Sequence, residues 1–124
     1  MDIDRKTHEE EWCRIERFYV NLFERGHDLR PMLSVVSYFR SISKPHLLWP
    51  STSMSSLGLS MAREYTGRLE VPMVYIGNIS KPPIYVITFQ SHQGETKQVR
   101  ETMDPLGETM AGEIIEWLAA TNAR

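Results

Sequence analysis

In the stretch "EEEWCRIERFYVNLFERG" apolar residues return at helical spacing: Trp12, Ile15, Tyr19 and Leu22 fall on one stripe, and Phe18 and Phe23 widen it. Thr7 and Glu10 stand three residues apart, as in a capping box, and Gly26 suits the left-handed residue that ends helices. A helix starting at Thr7 and closing at Gly26 is therefore predicted. In the next stretch Met32, Val35, Val36, Phe39 and Ile42 fit a second helical face, with Asp28 as its cap and Pro31 in its first turn. The β-branched and aromatic content there also suits a strand, but the spacing favours the helix.

The segment "SKPHLLWPSTSMSSLG" behaves differently. Pro45 and Pro50 each turn the preceding residue away from helical geometry, so His46 to Trp49 is predicted to be extended. The hydroxyls of Ser51 to Ser53 offer caps for a short helix carrying Met54, Leu57, Met61 and Tyr65 and closed by Gly67. Period-two patterning follows. Leu69, Val71, Met73 and Tyr75 alternate around Pro72, which suits an edge strand or a bulge. "PPIYVITFQ" is apolar on both faces like a central strand, "SHQGE" is a turn, and "TKQVRETM" is a more polar strand folding back as a hairpin. At the end Asp104 caps, Pro105 sits in the first turn, and Leu106, Met110, Ile114, Trp117 and Leu118 share one stripe. The pattern as a whole predicts an α+β fold: a small antiparallel sheet of three to four strands packed by N-terminal and C-terminal amphipathic helices.

Length changes this picture only by limiting it. A chain of 124 residues, 41% of them hydrophobic, builds one core, so residues 1–124 are read as a single domain. The net charge of -2 disfavours nucleic acid as a partner. Acidic residues are missing between Asp28 and Glu64, where Arg30, Arg40, Lys44 and Arg63 stand. A single cysteine, Cys13, excludes an internal disulfide and a cysteine-only metal site. The N-terminus lacks the pattern of a secretory leader, and no apolar run is long enough for a membrane span, so a cytoplasmic protein without membrane association is expected.

The candidate chemistry is thin. "HEEEW" places Trp12 where the second ligand of a zinc-protease helix must stand, and the four histidines lack ligand spacing; no metal and no cofactor are expected, and the histidines are read as surface residues. Cys13 has Arg17 one helical turn away to stabilise a thiolate, but no histidine near it in sequence to act as base. "SISK", Ser41 to Lys44, has a serine-to-lysine spacing known from penicillin-recognising enzymes without the companion motifs. No glycine pattern forms a phosphate loop. Catalysis is not favoured.

What remains is surface. His46, Leu47, Leu48 and Trp49, flanked by Arg40 and Lys44, form a candidate recognition stretch, with a plug at the edge of the core as the competing reading. Phe18 and Val20 fall outside the main stripe of the first helix, and a homodimer through that helix would account for them. The function expected is that of a small non-catalytic protein binding another protein, as adaptors, chaperones, immunity proteins and phage or plasmid modulators do, with the acidic last helix steering a basic partner. The alternative is a small-molecule-binding or enzymatic domain with an apolar pocket lined by Tyr38, Tyr65, Tyr75, Tyr85 and His92.

Overall fold

A computed structural model describes residues 2–26, 30–46, 48–53, 56–61, 71–78, 84–92, 94–103 and 108–122. Two helices come first, α1 (Asp2–Glu24) and α2 (Arg30–His46). Five strands follow, β1 (Trp49–Ser53), β2 (Ser56–Ser60), β3 (Met73–Asn78), β4 (Tyr85–His92) and β5 (Glu95–Thr102), and the last helix is α3 (Glu108–Asn122). The strands form one antiparallel meander in sequence order. The fold is α+β, with five strands rather than three to four.

The first helix begins five residues earlier than the capping box at Thr7 implies. The backbone is already helical from Asp2. Its end is as expected: Gly26 has φ 96, and its N–H donates to the Phe23 carbonyl at 3.0 Å. The second segment is a helix throughout, and it runs through Pro45 to His46, so the predicted extended stretch from His46 is shorter than expected. The Leu48 N–H closes that end by donating to the Ser43 carbonyl at 3.1 Å, the six-residue ring found at helix C-termini.

The short helix expected after Pro50 does not form. Trp49 to Ser60 is instead a hairpin, with Trp49 opposite Ser60 and Ser53 opposite Ser56. The helical spacing of Met54, Leu57, Met61 and Tyr65 is fortuitous; the period that matters is Leu57–Leu59, both fully buried, with Gly58 between them facing the other way. Met54, Tyr65 and Gly67 lie outside the described residues. Pro50 is accommodated because β1 is an edge strand, where a missing donor costs least. Gly58 is required by close approach: a Cβ there would stand 2.5 Å from Ser51 Oγ and 3.0 Å from Met73 Cε and Tyr75 Cε1. Gly58→Ala is therefore expected to cost about 1–3 kcal/mol of unfolding free energy, measurable by urea titration.

Strand β3 begins after Pro72 and turns the other face inward from the one its alternation suggested. Val74 and Ile76 join the core, while Met73 and Tyr75 sit on the opposite face. Residues 62–70, including Leu69, lie outside the described residues. In β4 the inward residues are Tyr85, Ile87 and Phe89. All three helices cover this one face: Trp12, Ile15 and Tyr19 from α1, Met32, Val35, Val36 and Phe39 from α2, and Met110, Ile114 and Leu118 from α3. The expectation that only the first and last helices pack the sheet omitted α2. Each such large side chain removed from water contributes roughly 1.5–3 kcal/mol, which is why these stripes dictate the layering. On α3, Trp117 stays half-buried and meets Phe89 edge-on at 5.3 Å between ring centroids. Leu106, Asp104 and Pro105 lie outside the described residues.

Candidate functional site

The segment from Ser43 to Trp49 is a fastened corner. The Leu48 carbonyl accepts two hydrogen bonds from α1, from His8 Nε2–H at 2.8 Å and from Trp12 Nε1–H at 3.0 Å. Both donors are buried, and the His8 ring also meets Trp49 edge-on at 4.9 Å. A carbonyl oxygen has two lone pairs, so the Leu48 carbonyl just ahead of β1 is saturated by one helix turn of α1. His8 is thus an interior donor, not the surface histidine the sequence suggested. The hydrogen bond requires the proton on Nε2.

Leu48 and Trp49 are both buried, so neither side chain is presented as an anchor for a partner; of the two readings of this stretch, the core plug describes them. The reason is the packing of α1 against the Leu48 carbonyl and the Trp49 ring, which nothing local in the sequence announces. Leu47 lies outside the described residues, as do the side chains of Lys44 and His46. Arg40 is half-buried and turns towards α1.

There it organises the face shared by the first two helices. Arg40 Nη1 donates to Glu16 Oε2 at 2.8 Å and Nη2 to Cys13 Sγ at 3.1 Å. The Glu16 hydrogen bond, ahead of the smaller contributions of Cys13, holds the guanidinium pKa above its usual value against the opposing effect of burial. The basic neighbour of Cys13 is therefore Arg40 from α2, where one-turn spacing had pointed to Arg17. The ion pair itself is 37% exposed on the arginine and 38% on the glutamate and contributes at most about 1 kcal/mol; its use is to fix where these side chains stand.

Two hollows flank Arg40. One, of about 540 Å³, is lined by His8, Trp12, Glu16, Ser37 and Ser41; the other, of about 790 Å³, by Cys13, Arg14, Arg17, Phe18 and Asn21. Both also touch Glu9. Along α1 the residues Cys13, Glu16, Val20 and Phe23 follow at three- and four-residue spacing, so they share one side of the helix. Val20 is 37% exposed and Phe23 42%. Phe18, expected outside the stripe, packs half-buried against the core.

The tyrosines of the alternative pocket do not converge. Tyr85 lies on the helix-covered face and Tyr75 on the opposite one, since Tyr75 stands opposite Thr88 and Asn78 opposite Tyr85. Tyr38 packs at the core rim beside Phe39, His92 is exposed at the end of β4, and Tyr65 lies outside the described residues. Among the described residues no group of three or more histidine, cysteine or acidic side chains is placed to hold a metal ion, and no helix is long and apolar enough to cross a membrane. On α3 the acid Glu113 is bonded to Arg100 of β5 at 3.0 Å, so part of the negative charge expected to steer a partner is already compensated. No family model matches the chain, and no curated protein or solved structure matches it either.

Proposed function

We propose that this protein is a non-catalytic binding module whose partner protein covers the face shared by α1 and α2. The observation that carries this reading is the run Cys13, Glu16, Val20 and Phe23, where two exposed apolar side chains continue a line that Arg40 has already fixed in place. Single exposed apolar residues are ordinary on protein surfaces. Two of them one turn apart, on the side of α1 where Glu16 and Cys13 hold an ordered arginine, resemble the composition of binding patches, in which aromatic and arginine side chains are enriched and an apolar centre has a polar rim. An arginine already held by Glu16 and Cys13 also loses little side-chain freedom when a partner docks. The mechanism is occlusion or stabilisation of the partner's surface by contact.

The test is affinity capture from source-cell lysate with the wild type and with Val20→Glu/Phe23→Glu, followed by binding measurements with whatever protein is identified. Both positions are exposed, so the double variant should unfold within about 0.5 kcal/mol of wild type. Its affinity should fall by about a hundredfold or more, the loss expected of central interface residues. A folded double variant that binds the partner as wild type does would sink the assignment of this face.

A further inference from the structure

The C-terminal half of α1 carries two charges without counterions. Arg17 and Glu24 are both exposed, and among the described residues neither side chain makes an ion pair or a hydrogen bond. Their neighbours on the helix explain this. One turn from Arg17 stand Cys13, Arg14, Val20 and Asn21, and one turn before Glu24 stand Val20 and Asn21, so neither has an opposite charge at pairing distance along the helix. By contrast Arg14 is bonded to Glu11, and Glu16 to Arg40. Glu24 is also set against the helix dipole. It closes α1, whose last turn holds no basic residue, and that end of a helix favours a cation over a carboxylate.

Arg17, Val20, Asn21 and Glu24 stand at positions i, i+3, i+4 and i+7, which is one face of a helix, and all four are exposed. The second helix and the sheet therefore leave this face open. Reversed end to end, the face is complementary to itself. In an antiparallel pair about a twofold axis passing between Val20 and Asn21, Arg17 of each copy stands level with Glu24 of the other, and the two Val20 side chains lie beside the axis. Moving the axis onto Val20 sets Glu16 level with Glu24, and moving it onto Asn21 sets Arg17 level with Arg25. Parallel pairing sets every charge level with itself. The register between Val20 and Asn21 avoids all of these like-charge pairs.

We infer that the partner covering this side of α1 is a second copy of the chain, docked antiparallel so that two Arg17–Glu24 pairs close around the two Val20 side chains. The inference rests on the proposed binding surface at Val20 and names what occupies it. Each copy supplies the cation that the other's Glu24 lacks at its helix end. Val20, 37% exposed, loses its contact with water in the centre, and Phe23, 42% exposed, borders it one turn on. The paired stretch is short. A stable interface buries about 800 Å² on each partner, and part of one helix offers less, so the dimer is a weak one with a dissociation constant on the order of 100 μM.

Sedimentation equilibrium on the wild type, Arg17→Glu, Glu24→Arg, the double exchange Arg17→Glu/Glu24→Arg, and Val20→Glu/Phe23→Glu tests it. All four positions are exposed, so circular dichroism should show every variant folded. The wild type should dimerise with rising concentration by mass action. Each single charge variant puts like charges at two symmetric positions and should raise the dissociation constant about tenfold or more, while the double exchange restores opposite charges and should return it to within about threefold of wild type. Val20→Glu/Phe23→Glu should stay monomeric. A wild type that is monomeric up to about 1 mM would overturn the inference. If that monomer still captures a different protein through Val20 and Phe23, the binding surface stands and only its occupant falls. A dimer that survives Val20→Glu/Phe23→Glu would put the contact on another face and overturn the inference too. Single charge variants that dimerise like wild type, or a double exchange no better than the singles, would refute the antiparallel register.

Discussion

Replacing Trp12 with alanine is expected to lower the unfolding free energy by about 3–5 kcal/mol, the largest effect of any single truncation proposed for α1. Two losses combine. The indole is almost fully buried, so its removal leaves a cavity between α1 and the start of the sheet. It also takes away one of the two hydrogen bonds on the Leu48 carbonyl, the 3.0 Å bond from Nε1. Trp12→Phe separates these contributions, since it keeps most of the packing and loses only the donor. Because His8 still donates to the same oxygen at 2.8 Å, the carbonyl is not orphaned, and Trp12→Phe should cost about 1–2 kcal/mol. His8→Ala in the Trp12→Phe background then removes the last side-chain donor. The double variant should cost more than the sum of the two singles by about 0.5–1 kcal/mol, because only then does the buried oxygen lose both partners. Urea titrations of the four proteins give that coupling directly, and simple additivity would mean that the two bonds on the Leu48 carbonyl are independent.

How far the fold was legible follows from which interactions are local. The helical stripes of α1 and α3, the second helix and the β4–β5 hairpin follow from residues within a few positions of each other, and each element formed as its period implied, with ends of α1 and α2 that differ from the expected ones. The hairpin from Trp49 to Ser60 was missed because its sequence satisfies two periods at once, and the choice between them is made by Ile76 and Val74, which receive Leu57 and Leu59 from fifteen or more residues away. The inward face of β3 was misread for the same reason: Met73 and Tyr75 alternate with Val74 and Ile76 so that both faces carry large side chains, and the position of the helices distinguishes the two. At the candidate site, Arg40 and Cys13 were each noticed alone. Their bond spans twenty-seven residues and depends on the angle at which α2 returns along α1, which no periodicity encodes. One signal could have been used. His8 and Trp12 sit one turn apart on the buried side of α1, and two buried N–H donors so placed imply a shared acceptor in whatever packs there.

Trp49→Ala separates the two meanings of the segment between α2 and the sheet. The side chain is buried and its ring receives His8 edge-on at 4.9 Å, so truncation is expected to cost about 3–4 kcal/mol, of which the ring contact supplies about 0.5–1.5 kcal/mol. In a chain of this size that corresponds to a fall in melting temperature on the order of 10–20 °C. Where the variant remains folded, its affinity for a partner docking on α1 and α2 should change by less than about threefold, since Val20 and Phe23 are far along α1 from His8. The opposite pattern is expected of Val20→Glu/Phe23→Glu, which should lose the partner at unchanged stability. Thermal unfolding and partner titration on both proteins therefore form a crossed pair: stability without affinity at Trp49, affinity without stability on α1. A Trp49→Ala protein that melts like wild type and no longer binds would return the site to the corner between α2 and β1, and would require that α1 release that corner in solution.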